Sequence, residues 1–204
     1  GVRPAKDYRF VIYVSPVGPY FKGGIKLLNL KIETNYHRAA PKGIGNAKAI
    51  GNYSASLFPL AKAKEQGFDE VIYLDAISGD RIEEIGSANI FVYHNGILKT
   101  PNVSGSILDG VTRDSVCKIA TEILELEVQE TDIFLSDLFS ADEVFCTGTA
   151  VQITPVGTVT HNNTLHKYNN GDIGPVTKKL KKTLTKIQRG ESNDLFGWLF
   201  PVNI

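Results

Sequence analysis

NIFVYHNGILKT, residues Asn89 to Thr100, reads as a β-hairpin. Apolar and aromatic residues flank Asn95-Gly96, a pair that tolerates the two positive φ angles of a type I′ turn, and such a turn sets the flanking strands antiparallel. Upstream, EVIYLDA (Glu70 to Ala76) reads as a buried strand followed by a turn at Gly79-Asp80, and IKLLNLKIET (Ile25 to Thr34) alternates well enough to be another. YRFVIYVSP, Tyr8 to Pro16, is rich in aromatic and β-branched residues and predicts a first strand. Between these segments the period changes: Asn46 to Gln66 is helical, with Gly67 as its stop. Downstream, Thr112 to Leu124 predicts a helix with Asp114 in its first turn, where a carboxylate suits the macrodipole. LEVQE, DEVFCTGT and Ile153 to Thr160 predict strands, Ser136 to Phe139 a helical turn, and Gly174 to Gln188 an amphipathic helix ended by Arg189-Gly190. These elements follow no strict βαβ rhythm, so the expected class is α+β: a mixed-sheet pseudo-barrel with surrounding helices.

The 204 residues, 42% hydrophobic and 22% charged, suffice for one sizeable core or two small ones. Acidic and basic residues balance at 22 each, which removes any bulk attraction for nucleic acid or an anionic membrane. The basic run KKLKKTLTK, Lys178 to Lys186, has no interleaved aromatics and reads as the solvated face of the last helix. Cys117 and Cys146 form no disulfide framework, which points to a reducing, cytoplasmic compartment; a mitochondrial or plastid address would lie upstream of Gly1. No apolar run approaches transmembrane length. The start at Gly1 and the absence of Met lead us to expect a natural polypeptide longer at its N-terminus.

Chemistry is concentrated in four short segments. RAAPKGIGNAKAIGNY, Arg38 to Tyr53, sets Lys48 among small residues beside a tyrosine and downstream of an arginine. An amine attacks an aldehyde only in its neutral form, so a lysine with that task needs close apolar packing, which Ala47, Ala49, Ile50 and Gly51 are expected to supply. IEEIGSANIF, Ile82 to Phe91, puts two carboxylates at a strand end before a small-residue turn. SILDGVTR, Ser106 to Arg113, offers backbone N–H groups where a loop enters a helix, and FCTGTA, Phe145 to Ala150, makes a second small nest. Taken singly, Lys48 reads as one more solvated helix lysine, and each of the other three segments as a turn glycine with a capping hydroxyl.

In order and spacing, NAKAIGNY, LDA…EEIGSANIF, ILDGVTR and EVFCTGTAVQITPV resemble the large domain of branched-chain amino acid aminotransferases of the fold-type IV pyridoxal-phosphate class, from about Tyr36 to Trp198. The resemblance implies pyridoxal 5′-phosphate as cofactor and transamination between Leu, Ile or Val and 2-oxoglutarate. It makes Lys48 the lysine that binds the cofactor and later shuttles a proton, and Tyr53 the donor to the cofactor's phenolic oxygen. Glu84 becomes the carboxylate facing the pyridine nitrogen. It further implies Arg38, Val111, Thr112 and Thr149 around the phosphate, Leu108 against the ring, and Ser87 beside cofactor and substrate. Thr149 and Ala150 fall in the loop that receives the substrate carboxylate, with Tyr53 also close to substrate. Glu83, expected to point to the opposite side of its strand, receives no role.

There are departures. Asp109 stands where proline is more usual, Ile50 replaces a glycine, and Val151 and Thr154 occupy the positions of a redox C-x-x-C found in some members. Members also carry an N-terminal small domain that residues 1–35 do not replace. The expected organisation is therefore N-terminal strands over 1–35 joining a cofactor-binding large domain over 36–204. A homodimer is implied, along with amino acid and 2-oxo acid substrates and neither nucleic acid nor metal. The neighbouring alternatives are a D-amino acid transaminase or aminodeoxychorismate lyase of the same design, or a non-catalytic remnant.

Overall fold

The structure, a computed structural model, describes residues 1–16 and 25–202; the parts of the expected segments at 17–24 and 203–204 lie outside them. The described residues build one nine-stranded mixed sheet, in the order β3-β2-β1-β8-β7-β4-β5-β6 with β9 pairing β8. β1 (Leu28–Glu33) lies between β2 (Glu70–Leu74) and β8 (Gln152–His161), parallel to both. β3 (Ile82–Ile85) and β7 (Glu143–Gly148) run antiparallel to their neighbours, and β4 (Asn89–His94) pairs antiparallel with β7. The tight turn from β3 to β4 carries an Ile85–Ala88 bridge, so the sheet curls until its β3 edge meets β4. This is the mixed pseudo-barrel expected from the sequence.

Period-two alternation sorts the side chains. Ile72, Leu74, Ile90, Val92, Val144 and Cys146 point into the barrel and pack with Leu30, Ile32 and Val156 as one core. The residues between them face outward: Val71 and Tyr73 pack on α1 (Ile50–Glu65) through Ala63, while Phe91 and Phe145 stack at 5.0 Å beneath α2 (Val111–Glu122) and α4 (Pro175–Gln188). α3 (Leu135–Phe139) buries Leu138 against the barrel core.

The hairpin forms as read. Asn95 at φ 48° and Gly96 at φ 85° turn β4 into β5 (Ile97–Thr100), which pairs parallel with β6 (Glu127–Glu130). One expected strand does not form. Residues 8–16 have no strand partner, and Tyr8, Phe10, Ile12 and Val14 are exposed; strand-like composition forms no strand by itself, because propensity reflects packing on a sheet surface that this segment does not join. α1 begins four residues later than expected, leaving Asn46 to Ala49 as a turn. β9 (Thr164–Lys167) was not foreseen; it closes a hairpin on β8 through Asn162 and Asn163, both at positive φ.

Candidate active site

A cleft of about 200 Å³ opens where β3, the turn before α1, the loop into α2 and the end of β7 converge. Nine of the ten residues singled out from the sequence line it: Arg38, Lys48, Tyr53, Glu84 and Leu108 are joined there by Ser87, Val111, Thr112 and Thr149. Ala150, next along the β7–β8 turn, is exposed and does not reach the wall.

The floor is a buried charge pair. Arg38 and Glu84 are 8% and 2% exposed, and Arg38 Nη2 stands 2.5 Å from Glu84 Oε2. Glu84 Oε1 accepts from the Leu108 N–H at 2.6 Å and from Asn89 Nδ2 at 3.1 Å. A carboxylate has about four acceptor positions, so these three bonds leave one free. Burial raises Glu84 to about 7, against the opposing pull of Arg38 and the Leu108 bond. Asn89, given no role from sequence, also donates to the Leu108 carbonyl at 2.8 Å and thereby ties the loop to the strand.

The same loop leads into α2. Gly110 is its N-cap and no side chain caps it, so the first N–H groups of the helix are available to an anion at the cleft. Glycine is needed at 110 because a Cβ there would collide with Asn89 Oδ1.

Glu83 departs from expectation. Ile82 and Ile85 both enter the barrel core, which strict alternation forbids for residues three apart. The register resolves the conflict: Tyr73 pairs Glu84 while Leu74 pairs Ile82, so β3 carries one extra residue as a bulge. Glu83 and Glu84 consequently reach the same loop. The Ser106 hydroxyl bonds Glu83 Oε1 as the Leu108 amide bonds Glu84. Pattern reading could not detect a bulge, which is defined by the partner strand.

The opposite wall is more open. Lys48 sits in the turn before α1, held from below by Asn52, whose Nδ2 donates to the Ile44 and Ala47 carbonyls at 2.8 Å each. Lys48 is exposed, however, and Ile50 is 82% exposed, so the apolar packing expected from residues 47 and 49–51 is not in place. Tyr53 follows in the first turn of α1 and is half-buried, while Ser87 and Thr149 are exposed at the rim. Arg38 also differs from its expected orientation. Its Nη2 donates to the carbonyls of Ser106 at 3.0 Å and Gly45 at 3.4 Å, and so is occupied by the Glu84 side of the cleft.

Two buried polar atoms beside the cleft, Arg38 Nε and Thr147 Oγ1, have no partner. Orphans of this kind suit a site built for a polar guest. Among the described residues no cluster of His, Cys, Asp or Glu could hold a metal ion, and no helix is long and apolar enough to cross a membrane.

The family model described as amino-transferase class IV matches residues 2–159. Branched-chain amino acid aminotransferase 2 (chloroplastic) of Humulus lupulus is 45% identical over 198 residues, 97% of this chain and 48% of the relative. A probable branched-chain-amino-acid aminotransferase of Streptomyces coelicolor is 44% identical, covering 98% of this chain and 56% of its own length. The chain thus spans about half the length of the curated relatives it matches. The crystal structure of the Escherichia coli branched-chain amino acid aminotransferase superposes with TM-score 0.82 at 37% identity, over 92% of this chain and 60% of that one. The Thermobaculum terrenum enzyme in its PLP-form does so with TM-score 0.75 at 27% identity, over 82% and 53%. A match over most of its residues, on the same curled mixed sheet, shows that the chain belongs to the class IV amino-transferase family.

Proposed function

We propose that this chain is the cofactor-binding part of a pyridoxal 5′-phosphate-dependent branched-chain amino acid aminotransferase, moving an amino group between Leu, Ile or Val and 2-oxoglutarate. The observation that carries this is the buried Arg38–Glu84 pair, with one acceptor position free, across a cleft that Lys48 and Tyr53 also line. The donor set suits the cofactor: an amine, a phenol, a carboxylate, a helix N-terminus and unpartnered polar atoms surround one cavity. When bound, pyridoxal phosphate supplies an aldehyde for the amine and a ring that draws electrons from the substrate's α-carbon.

In this reading the Lys48 amine holds the cofactor and later carries the proton at the substrate α-carbon. Tyr53 offers its hydroxyl to the phenolic oxygen. Glu84 accepts the ring N–H at its free position, and Arg38 opposes the burial that would neutralise it. We therefore assign Arg38 to Glu84 rather than to the phosphate. The phosphate falls to the amides of Val111 and Thr112 and the hydroxyls of Thr112 and Thr149, where the α2 dipole favours an anion. Leu108 packs on the ring, while Ser87, Tyr53, Thr149 and Ala150 bound the substrate.

The same reading joins residues 1–35 to a cofactor domain over 36–204, takes a homodimer as the working unit, and sets the reaction in a reducing compartment. The sequence favours the cytoplasm; the plastid and the mitochondrion are the alternatives, given relatives whose names carry those destinations. The decisive test is incubation with pyridoxal phosphate followed by assay on L-leucine, D-alanine and aminodeoxychorismate. A new absorbance band and turnover of leucine alone is the expected result. Turnover of either other substrate in preference to leucine defeats the branched-chain reading, and no bound cofactor supports the non-catalytic alternative. A monomer mass by light scattering at working concentration would count against the homodimer.

A further inference from the structure

The bulge in β3 brings a second carboxylate to the floor of the cleft, and nothing in the proposed reaction uses it. Glu83 is 5% exposed and bonds the Ser106 hydroxyl. Ser106 is itself 1% exposed, and its carbonyl accepts from Arg38 Nη2, the nitrogen that also stands against Glu84. Gly45 lets these pieces meet, since a Cβ there would strike the Ser106 carbonyl and Ala39. A chain of buried contacts therefore runs from Glu83 through Ser106 and Arg38 to Glu84, while the peptide chain joins the two glutamates directly.

We infer that Glu83 is a positioning residue: through Ser106 it fixes the loop whose carbonyl holds Arg38 against Glu84, and its charge sets the field in which Glu84 works. The inference rests on the reading of Glu84 as the ring-nitrogen partner. Two adjacent buried carboxylates sharing one guanidinium cannot both ionise without cost, and the second charge loosens the hold of Arg38 on the first. The charged groups around the pair are few. Arg38, Glu83 and Arg113 act on Glu84; Asp75, Arg38 and Arg81 act on Glu83; Lys48, Tyr53 and Asp109 line the cleft above. Burial raises Glu83, as it does Glu84, and the Ser106 bond and Arg38 oppose that rise.

The test compares Glu83→Gln, Glu83→Ala and Ser106→Ala by pyridoxal phosphate affinity and by the pH midpoint of the bound cofactor's absorbance. Ser106→Ala and Glu83→Ala should each bind about tenfold more weakly, the effect of losing one hydrogen bond to a charged group. Glu83→Gln keeps an acceptor for Ser106 and should recover most of that affinity. It also removes a negative charge, so its midpoint should fall by about one pH unit. A Glu83→Gln midpoint equal to wild type, or a Ser106→Ala protein that binds as tightly as wild type, overturns the inference. Should Glu83→Ala not fold, the other two variants still decide. The underlying reading fails separately: a Glu84→Gln protein with an unaltered spectrum and pH profile, beside Glu83 variants that do respond, removes Glu84 from the ring nitrogen.

Discussion

The two sides of the cleft are built to different degrees. On the β3 side the polar groups are buried and, apart from Arg38 Nε, bonded to one another: Glu84 is held by the Leu108 amide, Asn89 and Arg38, and Ser106 links Arg38 to Glu83. On the α1 side Lys48 is exposed, Tyr53 is half-buried, and Ser87 and Thr149 lie at an open rim. The contrast follows from the chemistry proposed for each side. A carboxylate that must stay charged against a ring has to be oriented before anything binds, and a bulged strand stapled to a loop provides that orientation. An amine that exchanges partners and moves a proton needs access as well as the apolar packing that keeps it neutral, and around Lys48 only the access is in place.

Lys48→Ala should have the largest effect. With no amine in the cleft, the bound-cofactor absorbance band should be absent and transamination should fall at least about a thousandfold, within the range of lost general acid–base catalysis. Undiminished turnover in this variant would remove the open wall from the reaction altogether.

Glu84→Gln tests the finished wall. The change keeps size and an acceptor but removes the charge, and should raise the barrier by roughly 2 to 4 kcal/mol, about 30- to 1000-fold in rate, with the cofactor still bound. Wild-type turnover in a cofactor-loaded Glu84→Gln protein would transfer the role elsewhere, with Glu83 first in line because the bulge brings it to the same loop.

That near-equivalence of Glu83 and Glu84 in space marks the limit of what the sequence could show. The hairpin at Asn95-Gly96 was legible because two residues in succession carried the whole signal. The alternating strands and the helix ending at Gly67 were legible for the same reason: their determinants are local. Nine cleft residues could be named because they fall in short motifs whose resemblance to a family was read directly. What escaped is relational. The bulge exists only in the register of β3 against β2, and Asn89 acquires its role from where Leu108 and Glu84 come to lie. The segment over residues 8–16 failed for the converse reason, since its composition promised a strand but none of the nine strands pairs with it.

The finished wall should also be visible in the stability of the cofactor-free protein. Burial pushes Glu84 up to about 7, above the ordinary value of 4.5, so between those pH values the folded protein holds a proton that the unfolded chain has released. Stability contributed by that proton is complete below about pH 4.5 and is lost as pH rises through about 7, by up to about 3 kcal/mol. Glu70 and Glu83 are raised by burial too and act in the same direction. Urea unfolding at pH 5 and pH 8 should show a larger drop for wild type than for Glu84→Gln, the difference isolating Glu84 from the other two. Equal drops in both proteins would mean that Glu84 is already fully charged at pH 5 and that Arg38 outweighs burial.

The smallest effect belongs to Asp109, which lies between the two walls. It is exposed, lines the cleft, and stands one residue before the N-cap of α2, where proline is the more usual residue in the family it resembles. A negative side chain there favours the helix by complementing its dipole, yet it repels any phosphate that the same helix end would hold. The two effects carry opposite signs, which makes the substitution informative. Asp109→Asn should tighten pyridoxal phosphate binding about two- to threefold at low ionic strength while leaving stability unchanged or slightly reduced. Because the side chain is exposed, the gain should shrink as salt is added and should be nearly gone by about 1 M, where the screening length is about 3 Å. Affinity that does not change, or that changes without regard to salt, would separate the phosphate from the α2 N-terminus. The open wall would then hold that anion by Thr149 and the unpartnered Thr147 hydroxyl instead.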